Sequence, residues 1–197
     1  FSKEFGVLPN EVIPSLYQAL SAGVPQENVF EFLEVAQKAA KGGVTDLETA
    51  VDGISSVVNS YGADVITATE ASDMMFTAVR LGKTNFEELS GSLFQVAPIA
   101  ASLGIGFGEV TASLANLTAK GVPTKVAATQ LKAAFSELGK EGTKASDMFK
   151  ELSGQSMQEF LAEGHGLEGV LEVLKLGSEE TGVSLLDMFG SIEAGQA

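Results

Sequence analysis

The sequence contains no cysteine, no tryptophan and a single histidine. Without cysteine, the chain can form no disulfide, no thiol nucleophile and no cysteine-ligated metal site. Positive charge is also scarce, because 12 lysines and arginines stand against 26 acidic residues and leave a net charge of −14. That balance argues against general nucleic-acid binding, which depends on cationic side chains that neutralise phosphates.

The remaining composition is that of a globular helical protein. Hydrophobic residues make up 45% of the 197 residues, enough for one domain with a substantial core or for two small ones. Apolar residues recur at helical spacing, as in Leu47, Val51, Ile54 and Val58, and sustained strand alternation is absent from the sequence. We therefore predict an all-α fold, a compact array of short antiparallel amphipathic helices joined by glycine-containing turns.

Seven glycines divide the first 139 residues at intervals of 17 to 22 residues. Glycine just after a helix takes the left-handed conformation at no steric cost, so we expect each of the seven to end a helix. The sequence thus predicts a regular multi-helix core over residues 1–139, followed over 140–197 by shorter, less regular helices. The seven are Gly23, Gly43, Gly62, Gly82, Gly104, Gly121 and Gly139.

The two ends of the chain lack the signals of a complete protein. It begins with Phe1 in place of methionine, and its last apolar pattern runs to Ala197 without a stop signal. We expect the sequence to be a fragment whose boundary falls inside or beside a helix.

Helix starts are indicated by capping residues and prolines. Thr45–Glu48 and Thr84–Glu87 each fit a capping box, in which the first and fourth side chains bond the backbone of the helix start. Pro25 and Pro123 suit a first helical position. Pro98 interrupts an apolar helical pattern and predicts a kink or break there.

The segment Leu89–Gly108 contains no charged residue. Its serines, glycines and proline make it a poor lipid-facing helix, so we interpret it as buried core and predict no membrane span.

Two glycine motifs look like phosphate sites but fail on detail. Gly82–Thr84 resembles the end of a phosphate-binding loop, yet Thr77 stands where the upstream glycine is required. Gly104–Gly108 lacks the third glycine of a dinucleotide fingerprint, because Glu109 occupies its position. We interpret both as helix connectors.

Few residues could carry acid–base or metal chemistry. His165 lies between two glycines with Glu163 and Glu168 nearby, which favours an exposed turn over a metal site or a catalytic triad. The glutamate pairs Glu87–Glu88 and Glu179–Glu180 are assigned to no catalysis, and the first suits the positive end of a helix. We assign no catalytic, cofactor-binding or metal-ligating residue.

Two methionine-containing segments have two interpretations each. Met74–Phe76 and Met148–Phe149 could form an adaptable surface, but methionine at helical spacing is more often core.

Six lysines between residues 120 and 150 form a basic region in an acidic chain, with a local balance of +3. They form either a solvated helix face or a contact surface for an acidic neighbour, which could be another copy of the chain. The six are Lys120, Lys125, Lys132, Lys140, Lys144 and Lys150.

A series of short segments, in their order along the chain, also carries a family resemblance. They are Ile13–Pro25, Lys38–Leu47, Val58–Gly62, Leu81–Thr84, Phe86–Leu89, Val96–Gly104, Leu117–Val122, Ala128–Leu131 and Leu185–Gly190. This combination resembles the conserved core region of phage tail tape measure proteins, although Ala40–Gly42 and Gly106 fit the pattern loosely.

The resemblance implies a structural, non-enzymatic module without a cofactor, located in the virion tail and in the host cytoplasm during assembly. It implies tail-tube, tail-tip and assembly-chaperone proteins as partners, and a role in scaffolding the tube and determining tail length. Two other hypotheses stay open: a helical-repeat adaptor unrelated to phage, which would need an exposed groove across successive helices, and an enzyme with a pocket around His165.

Overall fold

The structure is a computed structural model that describes residues 5–197. Across that range the chain forms twelve α-helices and no strand, so the prediction of an all-α, compact helical array is confirmed. The helices are α1 Pro9–Ser21, α2 Val29–Gly43, α3 Leu47–Tyr61, α4 Ala68–Leu81, α5 Phe86–Leu103, α6 Phe107–Ala119, α7 Thr124–Gly139, α8 Lys144–Ser153, α9 Met157–Ala162, α10 Gly166–Thr181, α11 Leu185–Met188 and α12 Ile192–Gly195.

The first seven helices form two rows, because each helix packs against its second neighbour along the chain. One row contains α1, α3, α5 and α7, and the other contains α2, α4 and α6. The core includes fully buried residues from both rows, which bury their apolar stripes against each other. Five such residues, one from each of α2 to α6, are Leu33, Ile54, Met75, Leu93 and Leu114.

Helices within a row run parallel. The Asn59 side chain, near the end of α3, donates a hydrogen bond of 2.6 Å to the Ala22 carbonyl at the end of α1. At the opposite end, Thr124 at the start of α7 donates to the Glu88 carboxylate at the start of α5. The predicted antiparallel order therefore applies to helices that follow one another, because each short turn reverses the chain and two turns restore its direction.

All seven spaced glycines lie within two residues of a helix end, as predicted. The expected left-handed conformation is found at four of them and is wrong for the other three, and Val44 takes that conformation in place of Gly43. The four are Gly23 (φ 90°), Gly62 (φ 93°), Gly104 (φ 81°) and Gly121 (φ 96°).

Gly43, Gly82 and Gly139 instead allow close contact between helices. A Cβ atom at Gly82 would lie 2.9 Å from the Ala115 Cα, and one at Gly139 would lie 3.0 Å from a methyl group of Leu103. These three glycines therefore lie at helix ends because a side chain there would collide with a neighbouring helix, and not because the backbone must be left-handed.

The predicted capping boxes are wrong by one residue. Asp46, not Thr45, caps α3, and its carboxylate accepts a hydrogen bond of 2.7 Å from the Thr49 amide. This amide holds the pKa of Asp46 below its usual value. Asn85, not Thr84, caps α5 in the same way. Aspartate and asparagine are preferred to threonine as the residue that caps a helix start, so Asp46 and Asn85 take this position and the preceding threonines do not.

The predictions for the three prolines also need correction. Pro25 lies in the turn before α2, which begins at Val29, and Pro123 precedes the first residue of α7. The predicted break at Pro98 does not occur, because α5 continues through it to Leu103, and the kink stays a prediction. Pro98 and Phe94 are both exposed, so the Phe94 carbonyl that loses its amide partner lies on the solvent side of the helix.

The two-row pattern extends through α7, and the remaining helices pack around its end. The four-residue helix α12 packs on α7, while α8, α9 and α10 contact one another. The division into 1–139 and 140–197 as separate units stays a prediction.

The contact between α3 and α5 depends on Gly53. A Cβ atom there would lie 2.6 Å from the Ser90 Cβ and 2.9 Å from its Cα, so it would push against backbone. We expect Gly53→Ala to destabilise the fold by about 1–3 kcal/mol, although alanine is the better helix former. The measurement is the midpoint of urea unfolding.

Gly91 provides the matched control, because it lies inside α5 and a Cβ atom added there would meet no atom of another helix within 4 Å. Gly91→Ala should stabilise the chain by up to about 1 kcal/mol. Equal stability of the two variants would contradict the close approach of α3 and α5.

Candidate functional site

His165 lies in the exposed turn before α10. Its ring stacks on Phe160 with centroids 4.2 Å apart, and its Nε2 is 3.6 Å from a Glu163 carboxylate oxygen. Glu168 lies in the first turn of α10. Over residues 5–197, no group of three or more histidine and acidic side chains is placed to hold a metal ion. The exposed turn at His165 is confirmed.

The two glutamate pairs lie at opposite ends of helices. Glu87 and Glu88 occupy the first turn of α5, as predicted, where Glu88 accepts the hydrogen bond from Thr124. Glu179 and Glu180 are exposed near the end of α10. The first pair therefore stabilises a helix start and the contact between two neighbouring helices.

Both glycine motifs are connectors, as predicted. Gly82–Thr84 joins α4 to α5, and the Lys83 amide donates to the Thr118 hydroxyl at 3.3 Å. Gly104–Gly108 spans the turn between α5 and α6, where the Ile105 side chain is fully buried.

The methionine segments belong to the core. Met75 and Phe149 are fully buried, while Met74 and Met148 are partly buried and pack against the core. The interpretation as an adaptable surface is wrong for both segments, because their apolar atoms are already covered by this chain's own helices.

An acidic groove lies across the starts of α3, α5 and α7 and has a volume of about 1020 Å³. Because these helices are parallel, their first turns lie side by side at the same end of the row. Carboxylates near helix starts are stabilised by the positive end of the helix dipole. The groove therefore collects carboxylates from the starts of α3 and α5, and Lys125 is its one cationic lining residue. Its acidic residues are Asp46, Glu48, Asp52, Glu87 and Glu88.

The predicted basic region contains a lysine face on α7, which we define as Lys125, Lys132 and Lys140. A spacing of seven residues places Lys125 and Lys132 on one exposed side of the helix, and Lys140 is exposed directly after its last residue. No carboxylate among residues 5–197 lies within 4.0 Å of any of the three ammonium groups. The lysine face is thus available to an acidic neighbour.

The other three lysines lie around helix ends. Lys120 follows α6, Lys144 begins α8, and Lys150 lies in the last turn of α8. The Lys144 ammonium donates a hydrogen bond to the Asp187 carbonyl, so it holds the start of α8 near α11. The basic region is therefore one helix face with scattered neighbours, and not a single continuous surface.

Two partly buried carboxylates tie the last part of the chain to the two rows. One oxygen of Glu109 accepts the Gly106 amide at 3.0 Å, and the other accepts the Leu167 amide at 2.6 Å. The starts of α6 and α10 thus share one carboxylate.

Burial, with the nearby Glu109 charge, raises the pKa of Tyr61, whose hydroxyl donates to the Ile105 carbonyl.

Glu137 acts in the same way on α12. Its carboxylate accepts the Gly190 amide at 2.6 Å and the Ser191 amide at 3.0 Å. The sequence analysis missed both glutamates, because their partners are 58, 53 and 54 residues away and no local pattern connects them.

The described residues thus form a module of two helical rows. Many of its polar side chains cap or connect helix ends, and the lysine side chains of the lysine face lie exposed without a carboxylate partner among these residues. Among the described residues, no helix is long and apolar enough to cross a membrane.

Comparison with known proteins assigns the family. The family model for phage-related minor tail proteins matches residues 1–190, and the chain belongs to this family. The chain is also 36% identical, over 206 aligned positions, to a probable tape measure protein of Clostridium phage phiCD119. That alignment covers 100% of this chain and 22% of the phage protein, so the chain spans about a fifth of that relative's length. No solved structure matches the chain.

The Glu137 contacts predict a local effect of its substitution. In Glu137→Gln, one carboxylate oxygen becomes an NH₂ group, which cannot accept the amide bonds at the start of α12. We expect amides of residues 190–196 to exchange with deuterium at least several-fold faster, while those of α3 and α5 keep their protection.

Glu141→Gln is the control, because it makes the same change of charge at an exposed position four residues away. If both variants show unchanged exchange at residues 190–196, Glu137 does not hold α12.

Proposed function

We propose that this chain is a structural, non-enzymatic module of a tape measure protein in the virion tail, where it helps to scaffold tail-tube assembly and to set tail length. The observation that carries the proposal is the match of the whole chain to a probable tape measure protein, within a family of minor tail proteins. The alternative of a helical-repeat adaptor unrelated to phage loses its basis, because the chain belongs to a phage tail family.

The module does not measure length by its own extension. A single straight helix of 197 residues would span about 300 Å at 1.5 Å per residue, whereas the longest helix here, α5, has 18 residues and spans about 27 Å. The compact rows are suited to holding partners at a fixed place. Length would then be set by other parts of the longer protein.

The proposed partners are tail-tube subunits, tail-tip proteins and assembly chaperones, which the chain would meet in the host cytoplasm during assembly. The lysine face on α7 is the proposed contact for an acidic surface, either on one of these partners or on another copy of the chain. It is suited to that role because its three ammonium groups have no carboxylate partner among the described residues.

A phage that encodes this segment provides the test. In-frame deletion of the segment should abolish tails of normal length, and Lys125→Glu/Lys132→Glu/Lys140→Glu should reduce the number of assembled tails at least several-fold. Both are measured by electron microscopy of infected-cell lysates.

The control is Lys38→Glu/Lys41→Glu/Lys175→Glu, which changes the net charge equally at exposed positions away from the lysine face. Tails of normal number and length in the deletion phage would overturn the structural role. If the two triple variants behave alike, the lysine face is not the contact.

A further inference from the structure

A second pocket, which we call the apolar pocket, lies where the end of α3 meets the starts of α2 and α4. It has a volume of about 430 Å³. Its lining includes apolar side chains from these helices and from the two turns that lead into α2 and α4. Five of them are Val24, Phe32, Val35, Val58 and Ile66.

The apolar pocket exists because two long turns lie beside each other. The α1–α2 turn, residues 22–28, has seven residues and the α3–α4 turn, residues 62–67, has six, whereas the other turns between the first seven helices have three or four. In the short turn after α5, Ile105 is fully buried and its amide bonds the carbonyl five residues earlier. Val24 makes the same bond in the first long turn but is only partly buried. The long turns therefore leave apolar atoms open to solvent.

The size and lining of the apolar pocket are those of a binding site. Ligand pockets typically measure roughly 300–1,000 Å³ and are mostly apolar, with a few polar groups that give specificity. An apolar group placed in the pocket would remove its lining from water, which is favourable. A pocket that takes one apolar side chain of a partner is also the usual place of the strongest contact in a protein interface.

Charge around the pocket restricts what can enter it. The two segments that line it, residues 23–35 and 55–69, contain four carboxylates and no lysine, arginine or histidine. Glu34 pairs with Lys38 on the same helix. The other three have no cationic side chain within 4.0 Å among residues 5–197 and are Glu27, Glu31 and Asp64.

These three carboxylates lie on two sides of the pocket. Glu31 lines it from the first turn of α2, Glu27 belongs to the α1–α2 turn, and Asp64 belongs to the α3–α4 turn. All three are exposed. They repel ligands that carry phosphate or carboxylate groups, such as nucleotides, nucleic acids, fatty acids and acidic phospholipids. A neutral apolar molecule would gain nothing from them, whereas a basic segment would be attracted.

We propose that the apolar pocket binds one large apolar side chain of a partner protein, in a segment that carries lysine or arginine on both sides of that residue. The apolar side chain fills the pocket, and the flanking cations pair with the carboxylates of the two turns. This partner has the opposite charge to the one proposed for the lysine face. Binding here does not require the proposed role in tail assembly, so either proposal can fail alone.

Synthetic peptides and nuclear magnetic resonance of the full chain test the proposal. The first peptide has a central phenylalanine with two lysines on each side, the second has glutamates in place of the lysines, and the third has serine in place of the phenylalanine. The lysine peptide should shift the amide signals of residues 23–35 and 55–69 and bind at least several-fold more tightly than the other two. High salt should reduce its advantage over the glutamate peptide, because salt screens exposed charges.

A first pair of variants tests the apolar contact. Ala63 is exposed and lines the pocket, so Ala63→Phe narrows it and should weaken binding of the lysine peptide at least several-fold. Ala112→Phe is the control, because it adds the same ring at an exposed position on α6. Unchanged amide signals far from each substitution confirm that both variants are folded.

A second pair tests the charges. Glu27→Lys/Glu31→Lys should remove most of the preference for the lysine peptide over the glutamate peptide. Glu179→Lys/Glu180→Lys makes the same change of charge at exposed positions near the end of α10 and should keep that preference.

Three results would overturn the proposal. The first is a set of pocket amide signals that millimolar lysine peptide leaves unchanged. The second is equal binding of the lysine and glutamate peptides, or equal behaviour of each variant and its control. The third is a set of shifts confined to the acidic groove, which would place basic segments there.

Discussion

The close packing of parallel second-neighbour helices is the constraint on which the rest of this structure depends. Where α3 meets α5, Gly53 leaves no room for a Cβ atom above the Ser90 backbone. Gly82 and Gly139, at the ends of α4 and α7, likewise leave no room for a Cβ atom beside their parallel neighbours α6 and α5. Small residues thus let the backbones approach, and the larger apolar residues fill the space between the two rows.

The parallel order decides where charge appears on the surface. The starts of α3, α5 and α7 meet at one end of the row, where carboxylates from α3 and α5 line the acidic groove, while α7 and the residue after it carry the lysine face. Glu109 and Glu137 then attach the later helices to this frame. A chain of the minor tail protein family is thereby built as a compact body with distinct surfaces.

Local patterns in the sequence predict the elements of this fold, but not their arrangement. Helical spacing and short connectors identify the all-α class, and Met75 and Phe149 are correctly assigned to the core. The cap of α3 is missed by one residue, because Thr45 and Asp46 carry similar signals. The contacts of Glu109 and Glu137 join residues more than fifty positions apart, and only the folded rows bring them together.

The parallel order of α5 and α7 is tested most directly by distances between spin labels, which the absence of native cysteines allows to be placed singly. Labels on Cys variants of the exposed residues Glu87 and Lys125 mark the starts of the two helices, and a label at Lys140 marks the end of α7. The distance from 87 to 125 should be shorter than that from 87 to 140 by roughly 15–20 Å, since α7 rises about 1.5 Å per residue. A shorter distance from 87 to 140 would show that the two helices are antiparallel and would contradict the two-row arrangement.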